Sequence, residues 1–218
     1  MTSLKHSGLF LILLFSLFAC GCDSSSTPTN SAASSSEPTV KTVTAPPPLV
    51  AGEEIAILKT VYGDIKLQLY PAVAPKHVAN FKELIGKGFY NGLAFHRVIK
   101  GMVIQAGNPA TRSDDKATWP QGENSGMPTV SAEFSRIPYE RGTLGAARTQ
   151  DPNSASSQFF ICLDRNQQWD GSYTVFGKVI EGFNVAEIIA NSPTDPGTEI
   201  PSSKAVITRA YLEKYAPK

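Results

Sequence analysis

The fold of this chain is decided by the stretch Phe95-His96-Arg97-Val98-Ile99-Lys100-Gly101-Met102-Val103-Ile104-Gln105-Ala106-Gly107-Asn108. Residues that favour β-structure run up to Lys100-Gly101 and resume after it, so the pattern predicts two strands joined by a tight turn. Such a turn folds Arg97, Val103 and Gln105 onto one shared face of the strand pair.

A second stretch, Ser157-Gln158-Phe159-Phe160-Ile161-Cys162, also has the pattern of a strand. Because successive side chains of a strand point to opposite faces, Gln158 and Phe160 lie on one side and Phe159 and Ile161 on the other. In both stretches one face mixes apolar side chains with a few polar groups, and the opposite face is typical of a core.

The remaining elements define the fold class. Further strands are predicted at residues 55–60, 65–70, 143–147, 173–180 and 205–211, and helices at residues 76–85 and 183–191. Many strands, two helices and no repeating strand-helix pattern predict a mainly β protein, a closed antiparallel barrel capped by two α-helices, because closure removes exposed sheet edges. Residues 108–139 form a long surface excursion with Trp119 as its one large anchor.

The N-terminal region is predicted to be a lipoprotein signal followed by a tether. Residues 1–19 combine a weakly basic start with a short apolar run, which is typical of a secretory signal and too short for a permanent membrane helix. Leu17-Phe18-Ala19-Cys20 resembles a bacterial lipobox, so Cys20 is predicted to be acylated, with Cys22 as the alternative. An ordinary cleaved signal with two incidental cysteines remains open.

Composition separates the tether from the folded part. Residues 20–52 are rich in Ser, Thr and Pro, so they are predicted to be a disordered tether, and residues 53–218 the folded domain. The chain has 20 basic and 19 acidic side chains, and removal of the signal takes away only Lys5, which leaves 19 of each. This neutral balance argues against a nucleic-acid partner and against membrane binding other than through the lipid.

The sequence lacks the motifs of several common mechanisms. It contains no Gly-x-Ser-x-Gly elbow, no phosphate-binding loop and no Cys-x-x-Cys pair. Three histidines, one of them in the signal, are too few for a histidine metal site, so no metal and no cofactor is predicted. His96 is best explained as a core histidine, and Cys162 as a small apolar residue with a free thiol.

Arg97 is the most informative polar residue. It lies between apolar neighbours on a predicted strand, where a guanidinium must find acceptors or face a wet groove. The alternative is an arginine whose stem covers the barrel wall while its charge reaches solvent. Gln105 is predicted on the same face and could brace the guanidinium.

Five ordered blocks resemble the cyclophilin-type peptidyl-prolyl isomerases. Three of the blocks are the motifs quoted above at residues 95–99, 105–108 and 157–161. The other two are Gly142-Thr143-Leu144-Gly145-Ala146-Ala147-Arg148-Thr149 and Val175-Phe176-Gly177-Lys178-Val179. The similarity runs from about residue 53 to residue 211. It implies an eight-stranded barrel with two capping helices, whose outer wall binds an extended peptide with its proline in a shallow apolar pocket.

The resemblance also implies roles for individual residues. Arg97 would stabilise the twisted amide, Gln105 would orient Arg97, and Phe160 with Met102 and Val103 would line the proline pocket. The remaining substrate contacts implied are backbone groups of Ala147 and Arg148 and the side chains of Gln158, Trp169 and Tyr173.

Two departures from the family pattern concern the pocket. Met102 stands where an aromatic residue is usual, and Trp169 stands where leucine is usual, with Gln168 at the position of a drug-contacting tryptophan. We therefore expect catalysis to be retained and cyclosporin to bind weakly.

Taken together, the sequence predicts a monomeric peptidyl-prolyl cis-trans isomerase anchored by lipid to the bacterial cell envelope. It would lie outside the cytoplasm, on the periplasmic side in a Gram-negative cell, and act on proline-containing segments of unfolded or exported proteins. The alternative is a non-catalytic proline-peptide-binding or chaperone module with the same surface. A structural envelope protein is a third hypothesis, which explains none of the groove residues.

Overall fold

The computed structural model describes residues 38–122 and 127–217 of the 218-residue chain. Within those residues, nine strands and two α-helices are formed. The strands are β1 (Glu54–Thr60), β2 (Gly63–Leu69), β3 (Ala94–Phe95), β4 (Arg97–Ile99), β5 (Val103–Ala106), β6 (Thr143–Ala146), β7 (Phe159–Cys162), β8 (Val175–Glu181) and β9 (Ala205–Lys214), and the helices are α1 (Pro75–Gly86) and α2 (Phe183–Ala190).

The strands form one antiparallel sheet that nearly closes into a barrel. Their order is β3-β9-β1-β2-β8-β6-β7-β5-β4, so the two end strands, β3 and β4, are consecutive in the chain. This confirms the predicted mainly β barrel, but the described residues give nine strands where eight were expected. The difference arises at His96, where the chain turns from pairing with β9 to pairing with β5.

The predicted turn at Lys100-Gly101 is confirmed. β4 and β5 pair as a hairpin, and the N–H of Met102 donates to the carbonyl of Ile99 (2.9 Å). Gly101 has a φ of +73°, a left-handed conformation that glycine adopts without steric cost. The turn therefore fixes the register in which Arg97 lies opposite Gln105.

The main core fills the barrel, and the apolar face of α1 packs against it. Val78, Phe81, Leu84 and Ile85 are buried at the predicted helical spacing. The first turn of α1 is capped by Glu133, a residue far away in the sequence. The Glu133 carboxylate accepts hydrogen bonds from the N–H groups of Lys76 (3.2 Å) and His77 (3.0 Å) and contacts the His77 Nδ1 (2.8 Å). This carboxylate ties the long excursion to the helix.

Burial and hydrogen bonding set the charge state of this cap. Burial raises the pKa of Glu133, but the hydrogen bonds from His77 and Lys76 outweigh it, so the net pKa lies below the ordinary 4.5. Burial lowers the pKa of His77 below 6.5 despite the carboxylate beside it. The stable arrangement is a neutral imidazole that donates to an ionised Glu133.

Residues 41–52 differ from the predicted tether. Their backbone is bonded to the barrel, through Lys41 N–H to the Phe134 carbonyl (2.8 Å) and Gly52 N–H to the Tyr215 carbonyl (2.8 Å). Gln68 donates to the Pro47 carbonyl (3.2 Å). Hydrogen bonds to backbone groups therefore join residues 41–52, which the sequence assigns to the tether, to the barrel.

The predicted signal peptide and both candidate acylation sites, Cys20 and Cys22, lie outside the described residues. Among the described residues, no helix is long and apolar enough to cross a membrane. Cys162 carries a free, buried thiol, as expected, and burial raises its pKa to about 12.

Candidate active site

The candidate site is built on the outer faces of β4, β5 and β7. In β7, Phe159 and Ile161 point into the main core, while Phe160 and Cys162 belong to a second apolar cluster outside it. The same alternation places Val103 of β5 in the outer cluster. Alternate residues of each strand therefore face the core and the outer cluster, as the two-residue period in the sequence predicted.

Strand register aligns three of the predicted catalytic residues. Arg97 of β4 lies opposite Gln105 of β5, and Gln105 lies opposite Phe160 of β7. Neighbouring strands are about 4.8 Å apart, so this row spans about 10 Å across the sheet. Arg97 and Phe160 therefore flank Gln105 on the same face of the sheet.

We call the depression along this row the aromatic groove. It has a volume of about 180 Å³ and is lined by Arg97, Val103, Gln105, Ala147, Arg148, Phe160, Trp169 and Tyr173. All eight were predicted from the sequence. A second cavity of about 260 Å³ shares Gln105, Ala147 and Arg148 and includes Gln158, so the two form one extended surface.

Aromatic rings hold Phe160 in place. Its ring centroid lies 5.1 Å from that of Trp169 and 5.8 Å from that of Tyr173, both edge-to-face, and 5.6 Å from that of Tyr139 in a stacked pair. The ring is 4% exposed. A ring packed on three sides offers a rigid apolar surface to a substrate.

Arg97 differs from its predicted arrangement. Its Nε is ion-paired with the Glu199 carboxylate, and the pair is about half exposed on both sides. In the described part of the chain, no hydrogen bond joins Arg97 to Gln105. Arg97 nevertheless lines the aromatic groove, and it also lines the neighbouring cavity that contains Glu199.

Gln105 makes a different contact. Its Nε2 donates to Oε1 of Gln158 (2.9 Å), which joins β5 to the segment before β7. The prediction that Gln105 braces Arg97 directly is therefore wrong. Strand pairing places Arg97 and Gln105 side by side, while the Gln105 side chain is hydrogen-bonded to Gln158, which lines the second cavity.

The neighbouring arginine is fixed by its own contacts. Arg148 lies over the Tyr173 ring, with Cζ 4.4 Å from the ring centroid, and its Nη2 donates to the Ser172 carbonyl (2.7 Å). The Ala147 N–H donates to the Gln158 carbonyl (3.0 Å), so this backbone donor is already used within the barrel. Arg148 thus forms a fixed rim on the groove.

His96 is neutral at physiological pH. Burial lowers its pKa to about 4, although hydrogen bonds with Gln158 and the Ala94 backbone act in the opposite direction. In the structure His96 is half-buried, and its Nδ1 has no hydrogen-bond partner among the described residues. Its low pKa makes it a poor general base at neutral pH.

Sequence reasoning misplaced one site residue and missed two. Met102 lies in the turn, is 41% exposed and does not line the aromatic groove. Tyr139 stacks behind Phe160, and Glu199 pairs with Arg97. The alternation of Ile137 and Tyr139 could have indicated a buried extended segment, but no local pattern distinguishes Glu199 from other loop acids.

The arrangement suits non-covalent chemistry. An arginine and an apolar aromatic ring line the same groove, and a second cavity with a mainly polar lining adjoins it. Among the described residues, no group of three or more His, Cys, Asp or Glu side chains could hold a metal ion. The fold and site therefore define a β-barrel protein whose outer wall carries a groove with an apolar floor and an adjoining polar cavity.

Comparison with known proteins identifies the family. The family model for cyclophilin type peptidyl-prolyl cis-trans isomerases matches residues 55–212. A probable peptidyl-prolyl cis-trans isomerase of Brucella suis is 47% identical over 140 residues, which cover 63% of this chain and 71% of that protein. The chain belongs to the cyclophilin-type peptidyl-prolyl cis-trans isomerases and is an isomerase.

Solved structures agree with this assignment. A crystal structure of a cyclophilin type isomerase of Cryptosporidium parvum has a TM-score of 0.65 and 30% identity, and covers 75% of this chain and 99% of that one. A second structure of that protein, in the presence of the dipeptide Ala-Pro, has a TM-score of 0.63 and 31% identity, with coverages of 74% and 99%.

Proposed function

We propose that this chain accelerates Xaa-Pro isomerisation in exported proteins by stabilising the twisted amide through Arg97. The observation that carries the proposal is that Arg97 and Phe160 line one groove. The relative crystallised in the presence of Ala-Pro supports the choice of a proline peptide as the substrate class.

The chemistry requires only a well-placed donor. The amide C–N bond has partial double-bond character, which gives a rotation barrier of about 20 kcal/mol. Twisting localises a lone pair on the proline nitrogen, and a group that bonds this state better than the planar one lowers the barrier. Arg97 is always protonated and offers several donors in a fixed plane.

The apolar floor supplies the binding half of the mechanism. A proline ring seated on Phe160 would lie between Trp169, Tyr173 and Val103, all of which line the groove. The polar cavity beyond Gln105 would receive the residues that precede the proline. Binding would hold the proline ring in a fixed orientation while the preceding segment rotates. This would confine the motion to the Xaa-Pro bond and lower the entropic part of the barrier.

The decisive experiment is a cis/trans assay on an Xaa-Pro peptide with the full-length chain in mild detergent. Arg97→Ala should lower kcat/KM by about 100-fold, as loss of one preorganised donor typically does. Arg141→Ala is the matched control, because Arg141 is also exposed and ion-paired, with Glu187 (2.7 Å). An Arg97→Ala variant as fast as the wild type would refute the mechanism.

The alternative function, a binding module without turnover, predicts a different result. It requires proline peptides to bind the groove while the wild-type chain leaves their isomerisation rate unchanged. Peptide titration followed by tryptophan fluorescence would report binding, because Trp169 lines the groove. Binding without turnover would favour the alternative over the proposed activity.

The location and partners are part of the same proposal. We propose a monomer held on the outer side of a bacterial membrane by acylated Cys20, or by Cys22, with proline-containing segments of unfolded or exported proteins as substrates. The support is the lipobox-like sequence and the apolar run before it. Membrane fractionation of Cys20→Ala and Cys22→Ala variants, with the mass of the mature N-terminal peptide, would test it. A soluble, unlipidated wild type would contradict it.

A further inference from the structure

We propose that Glu199 is a positioning residue for Arg97, an inference that rests on the proposed function. Its carboxylate holds the guanidinium by Nε, so that the two Nη groups remain for the substrate amide. Arg97 is then oriented by a residue 102 positions away in the sequence and not by its strand neighbour Gln105.

The backbone brings Glu199 to this place. β4 is an end strand of the sheet, so one of its edges is not covered by another strand. The N–H of Val98 donates to the Glu199 carbonyl across that edge (2.7 Å). Since Val98 directly follows Arg97, this bond fixes the Glu199 backbone beside the arginine, and the carboxylate needs to span only a short gap to reach Nε.

The segment that carries Glu199 is itself held in place. We call residues 194–202 the Glu199 loop. Lys116 donates from Nζ to the Asp195 carboxylate (2.9 Å) and to the carbonyls of Pro201 (2.7 Å) and Ser202 (2.8 Å), which clamps both ends of the loop. The Asp195 N–H also donates to the Ile200 carbonyl (2.9 Å). Glu199 therefore projects from a closed loop.

The position of Arg97 between two cavities completes the geometry. It lines the aromatic groove on one side and, with Glu199, a cavity of about 350 Å³ on the other. Apart from the ion pair with Glu199, the structure assigns the guanidinium no hydrogen bond within the described residues. Glu199 lines this second cavity and is not among the residues that line the aromatic groove with Phe160.

The physical advantage is preorganisation. An arginine side chain has several rotatable bonds, and ordering it during the reaction would add to the barrier. The ion pair orders it before the substrate binds. Because both partners are about half exposed, the pair itself should contribute little to the stability of the fold.

The test compares Glu199→Ala, Glu199→Gln, Arg97→Ala and the double variant Glu199→Ala/Arg97→Ala in the full-length chain. Glu199→Ala should lower kcat about tenfold, with KM and Tm nearly unchanged. Glu199→Gln keeps an oxygen acceptor for Nε and should recover part of the loss. Glu187→Ala is the matched control, since Glu187 is an exposed carboxylate paired with Arg141, and it should match the wild type.

The double variant separates positioning from other roles. If Glu199 acts through Arg97, adding Glu199→Ala to Arg97→Ala should cause no further loss of kcat. Additive losses would overturn the inference, and so would a Glu199→Ala variant as fast as the wild type or faster. A faster variant would mean that the carboxylate holds Arg97 back from the substrate.

The same measurements distinguish this inference from the proposed function. If Arg97→Ala is impaired and Glu199→Ala is not, the positioning role fails and the proposed function stands. If the wild type shows no turnover, or Arg97→Ala equals it, the two fail together, because Arg97 then has no rate for Glu199 to support. If kcat drops in both Arg97→Ala and Glu199→Ala while Tm is unchanged, the result supports the proposed function and the positioning role of Glu199.

Discussion

Gly145 of β6 lies directly beneath the Phe160 ring, and its replacement by alanine should disturb the groove without touching Arg97. A Cβ at this position would lie 2.3 Å from Cζ of Phe160 and 2.7 and 2.8 Å from its two Cε atoms. Carbon atoms normally approach to about 3.5–4.0 Å, so the ring must move by more than about 1 Å.

The surroundings of the ring limit that movement. Tyr139 is stacked against Phe160, and Trp169 and Tyr173 contact it edge-on. We therefore expect Gly145→Ala to lose about 1–3 kcal/mol of stability, as overpacked cores do. A displacement of this size at the substrate floor should lower kcat/KM by about 10- to 100-fold.

The assay measures kcat/KM for an Xaa-Pro peptide and Tm for the same full-length preparations. Gly86→Ala is the control, because a Cβ there meets nothing within 4 Å and alanine favours a helix. The double variant Gly145→Ala/Phe160→Leu should regain stability, since leucine lacks the clashing ring atoms, but it should remain slow. Wild-type kcat/KM and Tm in Gly145→Ala would refute this reasoning.

Four further predictions concern charge and ligand binding. Glu133→Ala should lower stability by about 3 kcal/mol in chemical denaturation, because it leaves buried donors of α1 unpaired. In the wild type, the pKa values of Glu133 and His77 are lowered from 4.5 and 6.5, so the unfolded chain binds more protons in acid and Tm should fall steadily below about pH 6.5. His96 has a pKa of about 4, so it does not titrate between about pH 5.5 and pH 8, and kcat/KM should be flat over that range. A step within that range would contradict the neutral His96. Cyclosporin should bind weakly by calorimetry and Gln168→Trp should tighten it, whereas tight binding to the wild type would contradict the sequence alignment at this position.

The local pattern of the sequence determined most of the barrel and much of the groove. The alternation in residues 95–108 and 157–162 predicted which side chains face outwards, and the turn at Lys100-Gly101 predicted the register of Arg97 and Gln105. These features depend on the two-residue period of strands and on the backbone freedom of glycine. Both act over a few residues, so a sequence shows them directly.

Contacts between distant segments were decided only by the tertiary structure. The pairing of Arg97 with Glu199 spans 102 residues, and the cap on His77 by Glu133 spans 56. The segments that carry Glu199 and Glu133 have no periodic sequence pattern. Their positions depend on contacts with other parts of the chain, as the contact of Lys116 with the Glu199 loop shows.

The same reason explains why residues 41–52 were expected to be disordered: their composition offers little to bury, but the barrel supplies partners for their backbone. The sequence by itself determined which residues form the face of the groove, because strand alternation is local. Only the tertiary structure determined what holds the arginine of the groove, because the Glu199 carboxylate reaches Arg97 through the packing of a loop far along the chain.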